Sequence, residues 1–197
     1  MKNIVVIFLT ISLFSLVTSC EAILLKMSGE SSASFKVEGD KVLVNGVLGK
    51  KAHKAFLQTL KAHPNLKTLV LQEVPGSIND EWNVKTCAEV RQRRLNTYVE
   101  SGSVIQSGGV DLYIAGVKRF AEKGARIGVH SWSNGKKDGK DYPPEHEQHD
   151  IFVDYFDIIN RDTSFYWFTL RAAPADGMHF MTSEELRKYQ IVTDWVE

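Results

Sequence analysis

The chain of 197 residues is 43% hydrophobic and 24% charged, which is typical of a globular protein with one hydrophobic core. Its 24 basic and 24 acidic residues cancel, and the longest basic cluster is the short segment 91–94. Because a nucleic-acid-binding protein needs a basic surface to neutralise phosphates, this balance predicts no nucleic-acid partner. The two cysteines, Cys20 and Cys87, are too few for a disulfide framework.

The N-terminal segment has the pattern of an export signal. Lys2 precedes the apolar run 4–17, which is short for a membrane span but suits the apolar part of a signal peptide. The segment 16–20, with the sequence LVTSC, resembles the bacterial lipobox, in which cleavage occurs before a lipidated cysteine. Ordinary secretory cleavage after Ala22 is the alternative.

This pattern divides the chain into three predicted parts. Residues 1–19 are expected to be a lipoprotein signal peptide, 20–34 a tether, and 35–197 a single folded domain. Acyl chains on Cys20 would anchor the domain to a membrane, since each buried CH₂ contributes about 0.8 kcal/mol. The expected location is the bacterial cell envelope, facing the periplasm. The outer membrane is favoured because Glu21, rather than Asp, follows the cysteine.

Strand and helix patterns alternate from residue 34 onwards. Alternating apolar residues in 34–38 and 42–44 predict a hairpin around Gly39 and Asp40. The other predicted elements, in chain order, are a helix over 52–60, a strand over 68–73, a helix over 82–90, a strand over 96–100, a helix over 110–117, a strand over 125–129, a helix ending near residue 160 and a last helix that begins with a capping box of Thr182 and Glu185. This alternation predicts an α/β fold with a mainly parallel sheet, right-handed βα crossovers and helices on both sides.

Two segments between these elements have unusual compositions. The polar segment 131–144 is long enough to be a lid or a binding loop. The aromatic block 165–168 is interpreted as core or as an oligomer contact, with a substrate-binding wall as the alternative.

Three turns with chemically useful residues follow predicted strands. Gly76 and Ser77 follow the strand over 68–73, Ser107 and Gly108 follow the next, and His130 ends the strand over 125–129. In a parallel sheet the carboxyl ends of the strands share one crevice, where ligands bind. By themselves, Ser107 would be interpreted as a helix N-cap and His130 as a strand-end histidine.

The segments around these turns resemble signature blocks of Clp-type serine peptidases. The matching segments are 69–77 (LVLQEVPGS), 107–116 (SGGVDLYIAG), 125–131 (ARIGVHS) and, more weakly, 180–186 (FMTSEEL). By this resemblance the chain is identified as a small exported member of the Clp protease/crotonase-like superfamily. The resemblance covers residues from about 40 to 194, nearly all of the predicted mature chain.

The resemblance implies a set of catalytic roles. Serine is a poor nucleophile unless an imidazole accepts its proton, and Ser107 and His130 stand where the family has that pair. The backbone amides of Gly76 or Ser77 and of Gly108 would form the oxyanion hole, in which one donor is typically worth about 10² to 10³ in rate. Ser77 replaces the family's second glycine and adds a side chain there.

The acid of the family's triad is missing from its usual place. Met178 and His179 stand there instead, and Asp176 is the nearest replacement. A Ser-His dyad, or an acid such as Asp141 or Asp150, is the alternative.

The expected function is an ATP-independent envelope serine hydrolase, a peptidase, with a peptide or acyl substrate and no cofactor. A catalytically inactive binding or assembly module is one alternative, and crotonase-type thioester chemistry is another. No metal is expected, because His146 and His149 are loop histidines, which are usually solvated, and no Cys is nearby. Relatives of this fold often form rings, so a homo-oligomer is expected.

Overall fold

The computed structural model describes residues 32–197. The predicted signal peptide and the lipidation site Cys20 lie outside the described residues. The strands are β1 (Ser34–Glu38), β2 (Lys41–Asn45), β3 (Thr68–Val74), β4 (Asn96–Gln106), β5 (Arg119–Glu122), β6 (Arg126–Val129), β7 (His179–Phe180) and β8 (Asp194–Val196). The helices are α1 (Lys50–Ala62), α2 (Asp80–Gln92), α3 (Gly108–Ile114), α4 (Asp150–Ile158), α5 (Ser164–Ala172) and α6 (Ser183–Lys188).

The strands form one mainly parallel sheet, as predicted. Its order is β1-β2-β3-β4-β5-β8, with β6 pairing β4 and β7 pairing β6. Only the β1–β2 and β6–β7 pairs within the described residues are antiparallel. The long strand β4 pairs on one edge with two different strands: residues 97–99 pair with β5, whereas residues 104–106 pair with β6. This division brings the end of β6 beside the end of β4, where the predicted catalytic turns lie.

The core lies between the sheet and the helices. It contains fully buried side chains from the central strands and from α1 and α3, among them Phe56, Leu71, Val99, Ile105 and Tyr113. Burying a large apolar side chain contributes roughly 1.5–3 kcal/mol, so the central strands are held firmly behind the turns at their ends.

The structure confirms two local predictions and shows which residue caps α2. The β1–β2 hairpin turns at Gly39, whose φ is 64°, and the capping box of Thr182 and Glu185 opens α6. Ser77 and Asp80, which have the approximate spacing of a capping box, do not cap α2. Asn79 is the N-cap, and its side chain accepts a hydrogen bond from the Trp82 amide. Among residues 32–197, no helix combines the length and apolar character needed to cross a membrane.

Candidate active site

Ser107 occupies a strained turn between β4 and α3. Its φ of 50° and ψ of −127° lie in a region that L-residues rarely adopt, at a cost of about 1–3 kcal/mol. The Ser107 amide donates to the Gly128 carbonyl of β6 at 3.0 Å. Although Ser107 is at the N-cap position, its side chain makes no capping hydrogen bond. A strained serine in a sharp strand-to-helix turn is the geometry that exposes a nucleophile, and an N-cap role does not explain it.

The two turns predicted to form the oxyanion hole touch each other. A Cβ added to Gly76 would lie 3.0 Å from the Ser107 Cβ, and one added to Gly108 would lie 2.7 Å from the Ser77 side chain. The φ of Gly76 is 138°, so glycine is required there for its backbone as well. The turns can therefore approach closely only because two of their residues lack side chains.

The side chain of Ser77 faces the neighbouring helix. Its hydroxyl donates to Asp80 Oδ1 at 3.1 Å. The Ser77 hydroxyl is thereby bonded to the first residue of α2.

A single pocket joins the predicted nucleophile and base. Ser107 and His130 both line it, with an apolar and aromatic wall opposite them. The remaining lining residues are Asp80, Gly108, Val110, Asp111, Val129, Trp132, Phe152, Phe165, Tyr166 and Thr169. The topology thus brings Ser107, His130 and the Gly108 turn together.

The predicted acid Asp176 lies elsewhere. It is exposed in the segment between α5 and β7, and it does not line the pocket. The alternatives Asp141 and Asp150 are also exposed and outside the lining. Their roles remain predictions that this placement does not support.

Two acids that the sequence analysis did not propose do line the pocket. Asp111 lies in the first turn of α3, and burial, followed by the charge of Asp80, raises its pKa to about 7. The Asn83 amide donates to the Asp111 carboxylate at 3.5 Å. An acid with this pKa changes its protonation state near neutral pH, which suits a group that transfers protons.

Asp80 interacts with the predicted base. Its residue surface is exposed, but its carboxyl group is crowded by protein atoms, and this burial raises its pKa. The Ser77 hydrogen bond and the charge of His130 both act in the opposite direction. Asp80 is therefore an acid of this pocket with an electrostatic interaction with His130.

The aromatic part of the pocket lining is a group of rings that contact one another. Trp132 and Tyr166 each stack on Phe152, with centroids 5.7 and 5.2 Å apart. Trp132 Nε1 also donates to the Tyr166 hydroxyl at 2.9 Å, and that hydroxyl lies 2.6 Å from His149 Nδ1. The aromatic block 165–168 thus lies in α5, where Phe165 and Tyr166 serve both as core and as pocket wall.

The two loop histidines belong to separate local contacts. His149 is buried beneath Tyr166, and His146 Nδ1 accepts from the Gln148 amide at 3.2 Å. Between residues 32 and 197 there is no group of three or more His, Cys, Asp or Glu side chains that could hold a metal ion.

Solved structures identify the fold. No protein-family model matches the sequence, and no curated protein matches it. ClpP1 from Listeria monocytogenes is similar over 80% of this chain and 91% of its own, at 16% identity and a TM-score of 0.54. An enoyl-CoA hydratase from Bacillus halodurans is similar over 85% of this chain and 74% of its own, at 12% identity and a TM-score of 0.51. The chain has the Clp protease/crotonase-like fold.

A second protease has the same superfamily fold. The 1510-N membrane-bound stomatin-specific protease, solved as a mutant in complex with a substrate peptide, is similar over 78% of this chain and 73% of its own, at 15% identity and a TM-score of 0.53. Both proteolytic and hydratase enzymes therefore share the Clp protease/crotonase-like fold of this chain. Fold alone does not decide between such activities, so the chemistry must be argued from the pocket.

Proposed function

We propose that the protein is a serine hydrolase that cleaves a peptide or acyl substrate at the pocket of Ser107. The observation that carries this proposal is the strained backbone of Ser107, with φ 50° and no capping bond, at the edge of a pocket shared with His130. A purely structural N-cap would gain nothing from this strain, which costs about 1–3 kcal/mol.

In the proposed reaction, Ser107 Oγ attacks the substrate carbonyl carbon while its proton passes to His130. The Ser77 and Gly108 amides donate to the oxyanion that forms. His130 then gives the proton to the leaving oxygen or nitrogen, the bond to the carbonyl carbon breaks, and the acyl group stays on Ser107. A water molecule, deprotonated by His130, attacks this ester, and the acid product leaves with Ser107 reprotonated.

Asp80 is proposed as the acid of this group, in place of Asp176. The charge of His130 opposes the rise in the pKa of Asp80 that burial causes, and by reciprocity a negative Asp80 stabilises a positive His130. A base that becomes positively charged during the reaction benefits from such a neighbour. The hydrogen bond from Ser77 holds Asp80 in place.

A fluorophosphonate probe tests the nucleophile without knowledge of the substrate. The wild type is expected to be labelled and Ser107→Ala to remain unlabelled. Ser103→Ala, which changes a buried serine of the preceding strand β4, is the matched control and is expected to be labelled like the wild type. Equal labelling of wild type and Ser107→Ala, or no labelling of either, would contradict the proposal and favour an inactive binding module.

Thioester chemistry of the crotonase type is a second candidate, favoured by Asp111. An acid with a pKa of about 7 lies one helical turn from the Gly108 amide, where it could give a proton to a polarised thioester substrate. This chemistry does not need the Ser107 hydroxyl. It predicts that Asp111→Asn abolishes turnover of a thioester while Ser107→Ala retains it, which is the reverse of the serine mechanism.

The site of action is proposed to be the cell envelope, without ATP. The supporting feature is the sequence of residues 1–20, in which an apolar run precedes the lipobox-like cysteine. Metabolic labelling with palmitate is expected to mark the wild type and not Cys20→Ala. Self-association into a homo-oligomer remains a prediction that the mass of the purified protein in solution would test.

A further inference from the structure

We infer that the pocket accepts only a short, uncharged acyl group, of roughly two to four carbons, on the carbonyl side of the bond that is cleaved. This inference names the substrate class and rests on the proposed function. Its three supports are the size of the pocket, the bracing of its aromatic wall and the charges at its polar end.

The size of the pocket sets the first limit. The cavity volume is about 50 Å³. A cavity of about 150 Å³ binds benzene. The pocket has about a third of that volume, so it suits a short chain of a few heavy atoms better than an aromatic ring.

The contacts of Trp132 prevent the pocket from being enlarged simply by an outward movement of that ring. Trp132 stacks on two rings, Phe152 and Tyr142, each with its centroid at 5.7 Å. Gly139 packs so closely that a Cβ there would lie 2.5 Å from the Trp132 ring. Moving Trp132 outwards would break these contacts and its hydrogen bond to Tyr166. The polar segment that contains Gly139 thus holds the wall in place.

The charges at the polar end exclude one class of short acyl group. Asp80 and Asp111 both line the pocket, and the charge of Asp80 helps to raise the pKa of Asp111. An acyl group that carries a carboxylate would place a further negative charge beside these two acids. Acetyl, propionyl and butyryl groups fit both the volume and the charge, whereas succinyl does not.

A chain-length series of p-nitrophenyl esters, from acetate to octanoate, tests the inference through kcat/KM. The wild type is expected to hydrolyse acetate to butyrate best, with octanoate slower by about tenfold or more. Phe152→Ala removes the ring on which Trp132 and Tyr166 stack, and is expected to raise the ratio of octanoate to acetate by about tenfold. Phe152→Leu, which keeps more packing if the alanine variant folds poorly, should shift the ratio in the same direction by less.

Phe168→Ala is the matched control. Phe168 is a partly buried ring of the same helix as Tyr166, stacks on Tyr189 at 4.6 Å and does not line the pocket. It should leave the ratio unchanged. The inference would be overturned if the wild type preferred octanoate. It would also be overturned if Phe152→Ala and Phe152→Leu both folded and kept the wild-type ratio of octanoate to acetate hydrolysis. Ester hydrolysis that is identical in wild type and Ser107→Ala would instead contradict the proposed function.

Discussion

A buried arginine and a half-buried aspartate of this protein have opposite environments. Arg119, 7% exposed, donates to three backbone carbonyls, from Nε to Ile191 at 2.8 Å, from Nη1 to Gly116 at 3.1 Å and from Nη2 to Gln190 at 3.0 Å. Asp111 has a long 3.5 Å hydrogen bond from Asn83 and a second acid, Asp80, close by.

The pKa values reflect this difference. Burial lowers the pKa of Arg119 to about 10, so the guanidinium stays charged at neutral pH. Burial and Asp80 raise the pKa of Asp111 to about 7, so that acid titrates in the physiological range. The buried Arg119 guanidinium, through its hydrogen bonds to backbone carbonyls, joins β5 to the segment after α6. The Asp111 carboxyl is poorly solvated and lies in a pocket, so it is available for chemistry.

The largest expected effect is the loss of stability when Arg119 is replaced. Arg119→Met removes the donors to three carbonyls, and chemical denaturation is expected to show a loss of about 4 kcal/mol in the free energy of unfolding. Arg171→Met, at an exposed helical position, is the control and should change stability by less than about 0.5 kcal/mol. A small loss for Arg119→Met would show that the carbonyl contacts contribute little.

The second prediction concerns Asp111 and pH. Because its folded-state pKa of about 7 lies above the unfolded value of about 3.9, the folded state binds more protons between these values. Its contribution to stability is therefore present below pH 4 and is lost as the pH rises through 7. Relative to Asp111→Asn, the wild type should lose about 2–4 kcal/mol between pH 4 and pH 8.

The control for this pH series is Asp176→Asn, which changes an exposed acid outside the pocket. It should follow the wild-type curve. If the wild type and Asp111→Asn show parallel pH dependences, Asp111 is not the buried titrating acid that the comparison requires.

The smallest expected effect is that of Asp80→Asn on turnover. The amide would keep a hydrogen-bonding group near Ser77 but remove the negative charge that stabilises a protonated His130. The expected result is a decrease of about 10- to 100-fold in kcat for the best ester of the series, with KM little changed. Asp176→Asn again serves as control, and an equal decrease in both variants would argue against Asp80 as the acid.

The sequence could predict which turns meet at the pocket, but it did not point to Asp80. Ser107, Gly108 and His130 follow strands, and the ends of parallel strands meet, so local periodicity was sufficient to bring them together. Asp80 has the approximate spacing of a capping box with Ser77, and its position beside His130 depends on how α2 packs against the strand ends. That packing is a long-range property that no local pattern records.

Other features depend on tertiary contacts in the same way. The Tyr155 hydroxyl of α4 donates to the backbone carbonyl of Asp111 in α3 at 2.5 Å, a contact between two helices that are far apart in the sequence. The predicted strand over 96–100 continues to Gln106 because Gly102, with a φ of 81°, bends β4 without ending it. Strand β5 was not predicted, since it is short and begins with Arg119, whose burial only the folded structure explains.

In the proposed mechanism, His130 activates Ser107 in this pocket. The most direct measurement is the rate at which a fluorophosphonate forms a covalent adduct, followed by mass spectrometry of the intact chain and of its peptides. We predict that the wild type forms one adduct per chain, on Ser107. The rate of adduct formation in His130→Ala should be at least about 10³-fold lower than in the wild type. An adduct on another residue, or equal rates in wild type and His130→Ala, would contradict the account.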